Sequence, residues 1–484
     1  MKKLLASTAA LAMVATTLAG CGGNGDITAE SGKTNLTVAV VLAQCYDGLY
    51  KLDKDGNVVA NLATDLPEIS EDGTVYTIKI KDGLTWSDGT PLTAEDFVWS
   101  WMRAMTTEGY YTNFMYNYIA GTTHMVEKDG KQVEMPYTDM ADLEKNMGVK
   151  AVDDTTIQIT LKMSAPYFTS MLTNAVFYPV NKNEVGSDVS KSEWVKNASA
   201  DDPIVTNGAF EITGVNIKDA ITLAKSDNYS DKDNVKLENI EFKVMSDLDS
   251  QTQAFISGEV DFATAVNVEQ VNNDEQLQGH VYKIDPFVCN YYVLVNAGKE
   301  NKETTDGLKA LKDPEIRKAI SMAIGRDVAR NAYGYGDDYS YDLYALIPSG
   351  IPDAEGNDFY EQGGRLITDD VKAAKEIMES KGYSADNMLK IEYKYNNLAT
   401  HKAVAEAMQN SLKEIYVDLQ LNGYEKEAFF GDRDAGNFEL ARHAMTADYL
   451  DPMCYLSMYV GASTSGNTVD DATFEQMVNE ANQL

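Results

Sequence analysis

Few side chains that bind metals or carry redox chemistry occur in this sequence. Its 484 residues include four cysteines and four histidines. The histidines stand at 124, 280, 401 and 443, and no CxxC or HxxxH pair occurs. Zinc sites require several such ligands at short spacing. We therefore expect no metal site and no cofactor.

Basic residues are also scarce. The chain has 41 Lys and Arg against 75 Asp and Glu, which gives a formal net charge of -34. Proteins that bind nucleic acid concentrate basic residues to displace counterions from phosphates. The charge balance therefore excludes nucleic acid as a partner.

Long apolar runs are absent after the first twenty residues. Lys2 and Lys3 precede the apolar stretch LLASTAALAMVATT, which is too short for a membrane span and predicts a signal peptide over 1–20. The following Leu18–Cys21, LAGC, resembles the bacterial lipoprotein box, in which the cysteine becomes a lipid anchor. The alternative is an ordinary secretory signal with an incidental Cys21. Residues 21–34 are rich in Gly and polar residues and predict a flexible tether.

Three cysteines remain for the folded part, at 45, 289 and 454. Because the number is odd, at most one disulfide forms and at least one thiol stays reduced.

Catalytic motifs are missing as well: no GxSxG, HExxH or GxxxxGK[ST] pattern occurs. His401 near a predicted helix start is interpreted as a cap or surface residue. Tyrosine is abundant, with 28 copies and clusters at 110–118 and 290–293. Such clusters usually pack a core, but they are also compatible with a binding cleft.

Patterns of apolar and turn residues predict alternating strands and helices. NLTVAVV, 35–41, is a strand candidate, and Thr93 followed by Asp96 predicts a helix with a capping box. Residues 204–266 suggest β-α-β crossovers. One helix is predicted from Pro314 to Gly334. These elements indicate an α/β protein, and its length suits two or three domains.

Six phrases in register resemble one known family. They are WSDGTPLTAEDFVWSW, TNGAFEI, LAKSDNY, SGEVDFA, DPEIRKAISMAI and TADYLDP. Their order is similar to that in the extracytoplasmic oligopeptide-binding lipoproteins of peptide ABC transporters, bacterial solute-binding protein family 5.

The resemblance implies a fold and a domain division. The expected fold is a two-lobed periplasmic-binding-protein-like clamshell of type II with an additional small α/β domain. The first lobe would comprise 35–41 and 166–297, the small domain 42–165, and the second lobe 298–484. Relatives continue beyond the point where this sequence ends and have a longer stretch after the first strand. We therefore expect a C-terminally truncated second lobe and weakened ligand binding.

The resemblance also implies binding residues around the segment FELARHAMTADY. If this segment is a strand, Phe438, Leu440, Arg442, Ala444, Thr446 and Asp448 share one face. Asp448 matches the family acid that pairs with the peptide's ammonium group. Arg442 and His401 match basic residues near its carboxylate. The segment that pairs with the ligand backbone comprises His443, Ala444, Met445, Thr446 and Ala447, and the other lobe would contribute Tyr116, Tyr292 and Asn267.

The implied function is capture of oligopeptides and their delivery to an ABC-transporter permease, without catalysis. The protein would act as a monomer, outside the cytoplasm, anchored to the outer face of the cytoplasmic membrane through Cys21. Two alternatives remain: a family member that binds a nickel chelate, haem or a sugar, or an extracellular hydrolase.

Overall fold

The structure is a computed structural model that describes most of the chain after the predicted tether. The described residues are 35–481 without 54–55, 108–109, 129, 186–197, 217–218, 246–247, 264–267, 281–287, 299–300, 335–336, 338–339 and 461–470. Contacts divide the chain into a first unit that ends at Asp247 and a second unit from Leu248 to Ala481. Within the described part, no helix is long and apolar enough to cross a membrane.

The first unit contains eleven described strands in four sheets. They are β1 (Tyr50–Leu52), β2 (Val58–Ala60), β3 (Glu68–Ile69), β4 (Val75–Lys79), β5 (Thr123–Lys128), β6 (Lys131–Pro136), β7 (Val149–Asp153), β8 (Thr156–Thr160), β9 (Phe210–Asn216), β10 (Ala220–Lys225) and β11 (Asn239–Lys243). Their orders are β1-β2, β3-β4-β8-β7, β5-β6 and β11-β10-β9, and all neighbours are antiparallel. The three strands after residue 204 thus form a meander in place of the predicted crossovers.

Six described α-helices accompany these sheets. They are α1 (Asn35–Cys45), α2 (Ala94–Met105), α3 (Asn113–Tyr118), α4 (Met140–Asn146), α5 (Phe168–Met171) and α6 (Lys182–Val185). As predicted, α2 begins after Thr93, whose N–H donates to the Asp96 carboxylate at 2.7 Å. Its buried face places Trp101 edge-on to Phe177, and the indole N–H donates to the Phe177 carbonyl at 2.8 Å.

The second unit is built on one four-stranded sheet with the order β12-β15-β13-β14. The strands are β12 (Cys289–Val295), β13 (Leu389–Asn396), β14 (Val417–Tyr424) and β15 (Leu440–Thr446). The described helices of this unit are α7 (Leu248–Ile256), α8 (Val268–Asn273), α9 (Glu275–Gln278), α10 (Asp306–Leu311), α11 (Pro314–Ala323), α12 (Arg326–Tyr333), α13 (Phe359–Gly363), α14 (Val371–Ser380), α15 (Ala399–Lys413), α16 (Lys426–Asp434), α17 (Met453–Leu456) and α18 (Ala472–Ala481).

A parallel crossover organises the core of the second unit. Strands β13 and β14 are parallel neighbours, and α15 connects them, as a β-α-β unit requires. Apolar residues of α11, α14 and α15 cover this sheet, with Ile320, Met378 and Met408 against Tyr393 in one buried cluster.

The predicted strand at 35–41 is wrong, because the segment lies in helix α1. Val40, Val41 and Cys45 are buried in that helix. When nearly every residue of a short run is apolar, periodicity cannot separate a buried strand from a buried helix. A helix needs no neighbouring strand, since its backbone hydrogen bonds are internal.

The division at 247/248 also differs from the expected lobe boundary at 297/298. Strand β12, which we assigned to the first lobe, pairs with β15 over its whole length and so belongs to the second unit. Sequence order alone does not reveal this, because the pairing partner lies about 150 residues further along the chain. The separate small domain at 42–165 remains a prediction.

The single helix predicted from Pro314 to Gly334 is two helices, α11 and α12. Both outer bounds are confirmed, with Pro314 opening α11 and Gly334 closing α12. Between them Gly325 has φ 73° and ψ 63°, a left-handed conformation that breaks the helix. A Cβ at this position would lie 2.3 Å from Ser411 Oγ on α15, so the close approach also requires glycine.

We predict opposite effects for two glycine-to-alanine changes. Gly325→Ala should destabilise the protein by about 1–2 kcal/mol or more, since alanine resists the left-handed region and Ser411 must move. Gly431→Ala, in the open interior of α16, should stabilise it by about 0.5–1 kcal/mol. Urea unfolding followed by circular dichroism measures the free energy of unfolding of both variants. Changes of the same sign in the two variants would contradict the prediction.

Candidate functional site

Strand β15 has one paired edge and one edge that is largely open. β12 pairs antiparallel with it from Leu440 to Thr446, whereas β13 pairs with it only at Leu440 and Ala441. Among the described residues, no strand covers the β13 side of β15 beyond Ala441.

Hydrogen bonds at the two ends of the β12–β15 ladder show which backbone groups face the open edge. The Ala447 N–H donates to the Val288 carbonyl, and the Asn296 N–H donates to the Glu439 carbonyl, both at 2.9 Å. In an antiparallel ladder alternate residues bond to the same neighbour. The N–H and C=O groups of odd-numbered residues of β15 therefore point toward β12. Those of the even-numbered residues Ala444 and Thr446 point toward the open edge.

Arg442 is a half-buried cation on the same strand. Its guanidinium lies over the ring of Tyr291, 5.4 Å from the centroid. In the part of the chain that the structure describes, it forms no ion pair with a carboxylate, and its Nε has no hydrogen-bond partner. The side chain therefore offers a positive charge that no acid of the described part neutralises.

His401 lies close to this cation, on α15. It is buried, and its Nδ1 is 3.5 Å from the Tyr291 hydroxyl. Burial, with Arg442 as a second cause, lowers the pKa of His401 to about 3. The imidazole is thus neutral at physiological pH. Our interpretation of His401 as a cap or surface residue is wrong, because the helix begins with Leu398 as its N-cap and the ring packs inward.

The opposite face of β15 carries His443. Its ring stacks on Tyr292 with centroids 4.9 Å apart, and the Tyr459 hydroxyl donates to the Tyr292 hydroxyl at 2.9 Å. Burial, followed by Arg433 and Arg442, lowers the pKa of His443 well below its usual value. Tyr292 therefore lies in the sheet of the second unit, and our expectation that it belongs to the other lobe is wrong.

Asp448 follows the strand and is 4 % exposed. Its backbone N–H donates to Cys454 Sγ at 3.2 Å. The chain then turns at Tyr449–Pro452 into the short helix α17. The carboxylate thus sits on a buried turn at the end of β15.

The remaining predicted site residues fall into three groups. Ala444, Met445, Thr446 and Ala447 continue the line from β15 toward Asp448, with Ala444 half-buried and the other three buried. Tyr116 lies on α3 in the first unit, where its hydroxyl is hydrogen-bonded to Thr112. Asn267 and Cys21 lie outside the described residues.

The shared face predicted for β15 is correct for Leu440 and wrong for Phe438. Leu440 packs in the main core cluster, whereas Phe438 packs with Leu294 and Ala441 on the other side of the sheet. The strand begins only at Leu440, so the alternation does not extend back to Phe438.

Tyr291, which the sequence did not indicate as a site residue, contacts both Arg442 and His401. The family resemblance implied its neighbour Tyr292, but the register places Tyr291 opposite Ala444 and Tyr292 opposite His443. Cross-strand partners share a face. A pairing of β12 with β15 would have identified Tyr291, but no local pattern indicates that pairing.

The sequence predicts that at least one of the three cysteines stays reduced, and the structure agrees. Cys45, Cys289 and Cys454 are all present as thiols, so no disulfide forms among them. Within the described part, no group of three or more His, Cys, Asp or Glu residues is arranged to hold a metal ion.

Comparison with known proteins places this arrangement in a family. The model of the bacterial extracellular solute-binding proteins, family 5 Middle, matches residues 57–467. The chain belongs to this family. The match confirms the family resemblance seen in the sequence, and the members of this family are extracellular solute-binding proteins.

Individual relatives agree with this family assignment. The dipeptide-binding protein DppE of Bacillus subtilis is 29 % identical over 441 residues, which cover 90 % of this chain and 75 % of that protein. The oligopeptide-binding protein OppA of Bacillus subtilis is 27 % identical, covering 96 % and 84 %. The crystal structure of a periplasmic oligopeptide-binding protein from Borrelia burgdorferi superimposes with a TM-score of 0.70 at 24 % identity, covering 93 % and 84 %. This likeness confirms the two-lobed periplasmic-binding-protein fold of mixed α/β content.

His401 should make stability depend on pH in a defined direction. The unfolded chain binds a proton at the imidazole near pH 6.5, whereas the folded chain does so only near pH 3. Stability is therefore lost as the pH falls below about 6.5, and one such histidine contributes a loss of about 1.4 kcal/mol between pH 7.5 and 5.5. Between these two pH values, we expect the free energy of unfolding of His401→Gln to fall by about 1.4 kcal/mol less than that of the wild type.

Urea titrations at pH 7.5 and 5.5 measure the difference. The matched control is His280→Gln, since His280 is exposed. It should keep the pH dependence of the wild type. An equal pH dependence in His401→Gln and the wild type would contradict the assignment of a neutral, buried His401.

Proposed function

We propose that this protein captures short peptides in extended form along the open edge of β15. The observation that carries the proposal is the combination of that edge with charges of opposite sign, Arg442 on the strand and Asp448 just after it. The relatives described above are named as dipeptide- and oligopeptide-binding proteins, which supports the same conclusion.

The edge suits an added strand. The N–H and C=O groups of Ala444 and Thr446 face it, and a peptide backbone supplies the complementary donors and acceptors. Such bonds do not depend on the peptide's side chains, so the site should accept many sequences.

The charges suit the two ends of a peptide. Asp448 would accept hydrogen bonds from the α-ammonium group, and Arg442 would face the carboxylate, with neutral His401 as a further donor. At about 3.3 Å per residue, the six steps from 442 to 448 span at most about 20 Å, which suits a peptide of a few residues. Tyr116 and Asn267 remain proposed contacts.

The same proposal includes delivery and anchoring. We infer that the bound peptide passes intact to an ABC-transporter permease and that a lipid on Cys21 holds the monomeric protein at the outer face of the membrane. The sequence LAGC at 18–21 supports the anchor.

Asp448 provides the sharpest test of the site. Removing one partner of a buried charge pair costs about 2–5 kcal/mol, because the other charge is left unpaired. Asp448→Asn should therefore weaken binding of a free tri- to pentapeptide by tens- to thousands-fold. The wild type should bind the N-acetylated form of the same peptide equally poorly. Isothermal titration calorimetry measures all three affinities.

The matched control is Asp451→Asn, three residues further along the chain. Asp451 accepts the Met453 N–H at 2.8 Å through one oxygen, which asparagine retains. The affinity of the Asp451→Asn variant for free peptide should match that of the wild type. Equal affinity of the wild type for free and acetylated peptides would remove Asp448 from the binding site.

Cys21 provides the test of the anchor. In cells that process lipoproteins, Cys21→Ala should abolish incorporation of labelled palmitate and move the protein from the membrane fraction to the medium or periplasm. Cys45→Ala should remain lipid-modified, because this thiol lies within the folded first unit. Palmitate labelling that persists in Cys21→Ala would show that the anchor is elsewhere or absent.

A further inference from the structure

The turn that carries Asp448 depends on an unusual hydrogen-bond acceptor. Strand β15 ends at Thr446, two residues before Asp448. The Asp448 N–H donates to Cys454 Sγ at 3.2 Å, and both residues are 4 % exposed. A buried N–H without an acceptor is costly, so this contact constrains the course of the turn.

Cys454 is itself held firmly. It lies in α17, where the Met453 N–H donates to Asp451 and the Tyr455 hydroxyl donates to the Val288 carbonyl at 2.9 Å. The same Val288 carbonyl accepts the Ala447 N–H at 2.9 Å. The helix and the end of β15 are therefore attached to one point on the chain before β12.

A second thiol lies on the other side of the same segment. Cys289 is opposite Thr446 in the ladder, so the two side chains lie on the same face of the sheet. Burial raises the pKa of the Cys289 thiol, so it stays protonated at neutral pH. A thiol thus lies opposite one end of the segment 446–448, and a second thiol accepts a hydrogen bond at its other end.

We propose that Cys454 is a positioning residue for ligand binding: its sulfur fixes the Asp448 backbone and thereby directs the carboxylate at the peptide's ammonium group. The proposal rests on the proposed function, because it concerns the same carboxylate. It adds that recognition of the free N-terminus requires a hydrogen-bond acceptor at position 454. The thiol itself touches no ligand.

The test compares substitutions that keep or remove this acceptor. Cys454→Ser retains an acceptor, whereas Cys454→Ala and Cys454→Val remove it, the latter while filling a similar volume. The measured quantity is the ratio of affinities for a free tripeptide and its N-acetylated form. We expect Cys454→Ala and Cys454→Val to lower this ratio about ten- to hundredfold, because the Asp448 N–H loses its contact with the sulfur and the turn relaxes.

Cys454→Ser should keep the ratio of the wild type. Cys45→Ala removes a buried thiol from the first unit and should also leave it unchanged. A purely structural role would lower the melting temperature in every Cys454 variant without changing the ratio. In the Asp448→Asn background, Cys454→Ala should have no further effect on it.

The outcomes separate the two proposals. If Asp448→Asn abolishes the discrimination while Cys454→Ala and Cys454→Val retain it, the positioning role is wrong and the proposed function stands. If Cys454→Ser loses the discrimination as fully as Cys454→Ala does, an acceptor at 454 is not what matters, and the positioning role is again wrong. If Asp448→Asn retains the discrimination, the proposed function at Asp448 is wrong, and the positioning role falls with it.

Discussion

The unequal pairing of β15 is the constraint on which the rest of the site depends. β12 holds the strand along its whole length, while β13 leaves it after Ala441. One edge is therefore paired throughout, and on the other edge no described strand bonds to the backbone groups of Ala444 and Thr446. Exposed strand edges are usually covered or charged in soluble proteins, because they invite pairing with other chains. Here that same property suits the capture of an extended peptide.

The electrostatics of Arg442 and His401 follow from their place on and beside strand β15. The chain carries a formal charge of -34, yet Arg442 forms no ion pair among the described residues. A half-buried cation without an acid is costly unless a ligand supplies the missing charge. Its field also disfavours a second positive charge, which is one reason why His401 beside it is neutral. The arrangement favours one cation and one neutral donor over two cations.

Rigidity around the site comes from the elements behind it. The crossover of β13, α15 and β14 places His401 against Tyr291, and the helix break at Gly325 lets α12 approach α15 at Ser411. Tyr333 of α12 then reaches the same aromatic group. Packing of these rings orients the Arg442 and His401 side chains, so the stability of this region and the proposed binding depend on overlapping contacts.

The sequence by itself determined the α/β class, the helix bounds at Pro314 and Gly334, and the family, because turn residues, caps and short phrases act over a few residues. Through the family resemblance it also indicated Arg442 and Asp448, both within FELARHAMTADY. Only the tertiary structure decided that 35–41 is helical, that β12 belongs with β15, that Tyr291 and not Tyr292 meets Arg442, and that Cys454 Sγ accepts the Asp448 N–H. These features depend on which distant segments meet, and the free energy of such contacts leaves no local pattern in the chain.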